Sequence, residues 1–242
     1  MTNIDKIIHR VYNKDKKRIL VTGGFGMSGF SLQRISKEFL EYEWDFVGRK
    51  NADLTKENQV KLLYKNYKPN YVIHCGANVG GIGKNLNYGP ELFYENTLIN
   101  TYMIHYAWKY KVEKFLGYGS VCVFPDRLDI LTEDKMHDGP MYYANRYYGA
   151  SKRNTDLQIE AYRKKYNLSG YISLIPVNIF GPADQYNLDN GHIIPSITHR
   201  LYLAQKNNTN FEPWGNGLAR REFCYIDDLS NIIMKLLKMD VL

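Results

Sequence analysis

Tyr148 and Lys152 stand four residues apart in "YYGASK", a spacing that puts both on one face of a helix. Together they can do acid–base work. A free phenol has a pKa near 10, and bringing it to about 7 takes roughly 4 kcal/mol. An ammonium about 4 Å away, at an effective dielectric of about 20, supplies that much. To protonate a carbonyl oxygen the neutral phenol is itself the donor, so the full shift is not needed. Tyr143 and Tyr147 have no lysine four residues downstream. Ser120 lies upstream in "GYGSVCVFPDR", which reads as a strand running into a turn with Cys122 near its end. The thiol has two readings. A cysteine near pKa 8.5 could serve as a base towards a proton acidified by an adjacent ketone. Equally, "VCVF" is apolar, and free cysteines are among the most buried side chains. Cys75 and Cys224 take the core reading, and a loop histidine such as His192 is ordinarily just solvated.

A second set of residues suits a phosphate. "VTGGFGMSG" places Gly23, Gly26 and Gly29 directly after a strand and at the start of a helix, with Met27 among them. Glycines let the backbone turn tightly and approach a pyrophosphate, which rests on the helix N-terminus. At the end of the second strand an acid would bind a ribose hydroxyl pair and repel a 2′-phosphate. The chain instead has Arg49 and Lys50 in "VGRKNADL", which favours NADP(H) over a plain solvated basic turn. Asp53 and Leu54 fall on the adenine side, although Asp53 could instead bind ribose.

The elements that must carry these groups alternate. Strands are expected at "RILVTGG", "WDFVGR", "NYVIHCGA", "KFLGYGSVCVF" and "GYISLIPVNIFG", with helices between them, one capped by Thr55. A polar loop covers residues 125–141. This pattern predicts an α/β fold with a doubly wound parallel sheet of Rossmann type. The expected division is a basic N-terminal arm over 1–17, a dinucleotide-binding domain over 18–181 and a small, incomplete substrate lobe over 182–242. The last helix of that lobe is expected to return to the first domain.

Bulk properties exclude several classes. The 242 residues are 44% hydrophobic and 24% charged, as in ordinary soluble domains. No apolar run approaches the roughly 18 residues that span a bilayer. The first residues hold no signal-peptide core, and three scattered cysteines make neither a disulfide framework nor a metal cluster. A reduced cytoplasmic protein without metal or membrane is expected. The net charge of +7 invites a nucleic-acid reading, but no such motif follows, and a phosphate-rich small ligand explains it as well.

Glycine loop, strand-end serine and YxxxK in this order resemble the extended short-chain dehydrogenase/reductases. More narrowly, "VTGGFGMSG", "ANVGGIGKN", "GSVCVFPD", "YYGASK", "IPVNIFGPADQYNLDNGHIIP" and "WGNGLARREFCYIDDL" resemble the GDP-L-fucose synthase family over about residues 18–237. The resemblance implies an NADPH-dependent 3,5-epimerisation and 4-reduction of GDP-4-keto-6-deoxy-D-mannose. Tyr148 would donate to the keto oxygen, Lys152 hold the ribose and tune the phenol, and Ser120 orient the carbonyl. Cys122 and His192 would be base and acid, His192 and Asn178 also lying at the cofactor. Arg200 and Arg221 would contact the GDP-sugar, with Trp214 near the base or merely packed. The family also implies a homodimer through helices at about 91–111 and 149–166. Val121 and Val177 depart from the family pattern, which has hydroxyl side chains there, and the loop "GPMYYANRYYGASK" differs too. Relatives continue several dozen residues past Leu242. A fragment, a short enzyme completed by a second copy, a different GDP-deoxysugar and a cofactor-binding protein without turnover all stay open.

Overall fold

A computed structural model describes residues 12–188, 191–213 and 216–239. The first strand, β1 (Lys17–Thr22), has Ile19, Leu20 and Val21 all fully buried. An apolar run without alternation is what a parallel strand covered on both faces requires. It lies in the interior of a five-stranded, all-parallel sheet. The other strands are β2 (Tyr42–Val47), β3 (Tyr71–His74), β4 (Lys114–Tyr118) and β5 (Tyr171–Leu174), and the order is β2-β1-β3-β4-β5. Helices α1 (Met27–Ile35), α2 (Glu57–Tyr67), α3 (Ile82–Asn87), α4 (Gly89–Lys109) and α5 (Arg146–Tyr166) make the crossovers. This is the doubly wound parallel fold expected from the alternation.

Two cores sandwich the sheet. On one face Leu20, Val72 and Phe115 pack with Val60 and Leu63 of α2, Met103 and Ile104 of α4, and Ile159 of α5. On the other, Ile19, Val21, Ile73 and Leu116 pack with Leu32 and Ile35 of α1. Successive residues of β1 therefore feed opposite cores, as the two-residue period of a strand demands. From β1 the chain first turns to β2 on one side and later crosses to β3 on the other. The reversal opens a crevice at the carboxyl ends of β1 and β3.

Beyond β5 the chain forms β6 (Asn178–Phe180), α6 (Ile193–Asn207), β7 (Phe223–Tyr225) and α7 (Ile226–Lys238). The single fifth strand expected from "GYISLIPVNIFG" is in fact two. It breaks around Pro176, which has no N–H for a ladder, and β6 pairs instead with β7 in a separate parallel ribbon. The fourth strand also stops earlier than expected, at Tyr118. Ser120 then caps a 3₁₀ turn, Val121–Val123, so Cys122 sits in that turn rather than on the strand. Helix α7 packs Leu229, Ile233, Met234 and Leu237 into the second core beside α1. Ser31 of α1 donates to Asp227 at 2.5 Å and lies 2.8 Å from the Ser230 hydroxyl, and Arg34 pairs with Asp227. Of the N-terminal arm, residues 1–11 lie outside the described residues, and Lys17 pairs with Glu113 at 2.6 Å.

The approach of α1 to the sheet is set by a glycine. A Cβ on Gly29 would collide with the backbone of Gly24. Gly29→Ala is therefore expected to cost about 1–3 kcal/mol in urea unfolding. Gly26→Ala is expected to cost under about 1 kcal/mol, because the nearest atom to its Cβ is 3.5 Å away.

Candidate active site

The crevice is built by backbone. Gly23 adopts φ +67, and a Cβ there would lie 2.9 Å from the Cys75 carbonyl carbon and the Gly76 nitrogen. The loops after β1 and β3 thus touch. Gly24, which sequence reasoning passed over, donates to the Val47 carbonyl at 2.9 Å and receives Gly29 against its backbone. Its neighbour Gly23 drew attention because it fits the spaced motif; the need for Gly24 arises only from tertiary contact. Gly26 is the N-cap of α1, Met27 its first residue, and the helix has neither a side-chain cap nor an acid in its first turn. Uncapped N–H groups at the positive end of a helix dipole fit a pyrophosphate.

Beyond the end of β2 Arg49 is 77% exposed, its guanidinium 4.0 Å from the Glu95 carboxylate. Asp53 accepts from the Thr55 amide at 3.0 Å and its hydroxyl at 2.7 Å, bonds that hold its carboxyl below the usual range. Thr55 is thereby corrected: it closes this turn, and Lys56 is the N-cap of α2. Leu54 borders the crevice, its Cδ1 lying 3.0 Å from where a Gly76 Cβ would stand.

Four of the expected groups converge where β4 ends and α5 begins. Lys152 is buried, donates from Nζ to the Tyr118 carbonyl at 2.6 Å, and stands 5.8 Å from the Tyr148 ring centroid. Burial pushes its pKa down to about 8. Burial also lifts Tyr148 above the ordinary phenol value, with the Cys122 sulfur adding to the rise and a bond to Ser120 opposing it. Tyr148 is thus a neutral phenol at neutral pH. Ser120 Oγ accepts the Cys122 amide at 3.2 Å. Cys122 is half-buried, and burial raises its thiol, while Asn145 Nδ2 donates to Sγ at 3.1 Å. A donor aimed at sulfur favours the thiolate. Asn145 was not foreseen; its only sequence signal is its place three residues before Tyr148. Gly149 is required here, since its Cβ would collide with the Cys122 carbonyl.

The remaining expected residues stand on β6, α6 and the segment before β7. His192 is exposed at the N-cap of α6, its carbonyl accepting the Ser196 amide at 3.0 Å. Arg200 Nε lies 3.4 Å from Ser196 Oγ, and exposed Arg221 donates to the Arg220 carbonyl at 2.7 Å. Asn178 Nδ2 donates to the Glu222 carbonyl at 2.9 Å, tying β6 to the approach to β7. Trp214 lies outside the described residues. Lys84 donates to Asn78 Oδ1 at 2.6 Å and lines a small cavity with Val79, Tyr88 and Gln185. Among the described residues no cluster of three metal-ligating side chains occurs, and no helix is long and apolar enough to cross a membrane.

An uncapped glycine loop at a strand-order reversal, with a half-buried tyrosine and a buried lysine beside it, defines a nucleotide-cofactor epimerase or reductase. The chain belongs to the NAD dependent epimerase/dehydratase family, whose model matches residues 19–241. Within that class it is similar to the GDP-L-fucose synthase of Dictyostelium discoideum, 36% identical over 218 residues that cover 89% of this chain and 68% of the relative. It is also similar to the GDP-L-colitose synthase of Yersinia pseudotuberculosis, 31% identical over 218 residues, 89% of this chain and 70% of the relative. Among solved structures it resembles a GDP-L-fucose synthetase from Naegleria fowleri bound to NADP. That match has a TM-score of 0.85 and 34% identity, covering 94% of this chain and 74% of the other.

The depressed Lys152 pKa has a signed consequence. Folded, the ammonium deprotonates at about 8, and an ordinary lysine does so near 10.5. Between these values the unfolded chain holds the extra proton, so stability rises with pH. Relative to Lys152→Met, the wild type is expected to gain on the order of 3 kcal/mol from pH 8 to 10.5, measured by urea unfolding of both proteins across that range. A constant difference would return Lys152 to an ordinary pKa.

Proposed function

We propose that the protein is an NADPH-dependent 3,5-epimerase and 4-reductase that converts GDP-4-keto-6-deoxy-D-mannose to GDP-L-fucose. The observation that carries the proposal is the meeting of Ser120, Cys122, Tyr148 and Lys152 in one corner beside the glycine crevice. The named activities of the synthase relatives, and the NADP bound by the Naegleria fowleri structure, support it. NADPH, when bound, supplies the hydride for the keto carbon. Gly23, Gly24, Gly26 and the first turn of α1, from Met27, receive its pyrophosphate; Leu54 borders its adenine, and Arg49 reads its 2′-phosphate. Asn178 would face its nicotinamide.

The chain's own residues move the protons. Cys122, its sulfur held by Asn145, removes a proton alpha to the ketone, and His192 returns one to the opposite face. Tyr148 then gives its phenolic proton to the keto oxygen, which Ser120 orients. The positive charge of Lys152 stabilises the phenolate left behind. Arg200 and Arg221 suit the GDP diphosphate, because a guanidinium can bond two oxygens at once. The likeness to a GDP-L-colitose synthase favours a second reading in which the same groups act on another GDP-deoxysugar.

Residues 18–181 form the cofactor domain and 182–242 part of a substrate lobe in this reading. Two copies pair through α4 and α5, where Phe93, Tyr94, Leu157 and Tyr166 are exposed apolar groups. A cytoplasmic location agrees with free cysteines at 75, 122 and 224.

The test is NADPH oxidation with GDP-4-keto-6-deoxy-D-mannose, the product identified by chromatography; no oxidation with any GDP-keto-sugar would sink the reading. Tyr148→Phe is expected to lower kcat by about 10²–10⁴-fold while leaving solvent-deuterium incorporation at the epimerised carbons. Cys122→Ser is expected to abolish that incorporation, and unchanged exchange would remove Cys122 from its role. Arg49→Ala is expected to raise the KM for NADPH about tenfold or more and leave that for NADH unchanged.

A further inference from the structure

Beneath the crevice lies a polar chain that the chemistry above does not use. Thr22 ends β1, His74 ends β3, Asn100 stands on α4, and all three are buried. Thr22 Oγ1 is 2.6 Å from His74 Nδ1, and His74 Nε2 is 3.1 Å from Asn100 Oδ1. The Gly76 amide donates to Thr22 Oγ1 at 3.4 Å. The proton positions follow from what each atom can do. An amide oxygen only accepts, so Nε2 carries the imidazole proton and donates to Asn100. A neutral ring has one proton, so Nδ1 accepts, and the Thr22 hydroxyl donates to it. The threonine oxygen is then left as an acceptor for the Gly76 amide. Every bond runs in one direction, from Gly76 through Thr22 into the ring, and from the ring into α4.

The first two members of this chain stand in the two walls of the crevice. Gly76 follows β3, and Gly23 follows Thr22; a Cβ on Gly23 would come within 2.9 Å of the Gly76 nitrogen. The β1–β3 ladder carries the register as far as the Cys75 amide, which donates to the Thr22 carbonyl at 3.2 Å, and the Thr22 side chain extends the tie one residue further, to Gly76. We propose that His74 is a positioning residue of the cofactor crevice, a neutral imidazole protonated at Nε2 that pins Gly76 to the end of β1 through Thr22. The inference rests on the reading of that crevice as the NADP(H) site. The ring must stay neutral, because a second proton would remove the acceptor that Thr22 uses. Burial, assisted by the nearby charge of Lys152, pushes its pKa down to about 3.

The role is tested by NADPH binding, followed by titration of the folded full chain, alongside kcat at saturating NADPH. Thr22→Val keeps the shape and deletes the link. It is expected to weaken NADPH binding about tenfold with kcat within about twofold. His74→Leu is expected to do the same, and His74→Asn, whose side chain can still offer an acceptor near Nδ1, to recover most of the affinity. Nitrogen-detected NMR of the wild type is expected to show Nε2–H with an unprotonated Nδ1 that does not titrate between pH 5 and 8. A proton on Nδ1, or wild-type affinity in folded Thr22→Val, would overturn the proposal. Should His74→Leu not fold, Thr22→Val and the NMR signature decide it. A wild-type chain that binds no NADPH would instead overturn the cofactor reading, and this role with it.

Discussion

A charged ammonium kept away from water at the end of β4 is the constraint from which the active corner follows. Lys152 cannot be buried without a partner for its proton, and the Tyr118 carbonyl takes that part. That bond fixes how closely α5 must approach the turn after β4. The close approach in turn leaves no space for a side chain at 149, hence the glycine one residue after the tyrosine. Arg153 adds a second tie, donating to the Val123 carbonyl at 2.6 Å. Held on both sides of Lys152, the helix delivers Tyr148 to Ser120 and Cys122 as a matter of geometry rather than of separate contacts.

Two electrostatic demands are met at once in this corner. The phenol is kept protonated by burial, so it can give a proton without first acquiring one. The lysine's depressed pKa shows that burial outweighs every charge partner near it, so its cation is held at a cost to stability. Sites that trade stability for a placed charge are familiar among enzymes.

What could be read from the residues follows the range of the forces involved. β1 was legible because three consecutive apolar residues after a basic arm and before glycines have one plausible fate. Tyr148 and Lys152 were legible because helical spacing is local. Thr55 was misread because a threonine before a helix fits a cap as well as it fits a turn with Asp53; the choice depends on where the helix starts. The apolar run "VCVF" reads as strand, whereas Ser120 captures the Cys122 amide and curls the chain. Gly24, Asn145 and His74 matter through partners 5, 23 and 26–52 residues away, which no local pattern exposes. Arg200 and Arg221 are common residue types in common settings, and only the family resemblance singled them out.

Helix α1 opens the glycine crevice with an uncapped N-terminus at one end and buries Leu32 and Ile35 along its length. Part of what covers that length is α7, some two hundred residues later, where Ser230 and Asp227 also meet Ser31 and Arg34. During synthesis the glycine loop leaves the ribosome well before α7, and its helix lacks its final packing until α7 emerges. The cofactor crevice is thus completed late, although its motif is made early. A nascent chain stalled before α7 would carry the full signature of a nucleotide site without the rigidity to use it.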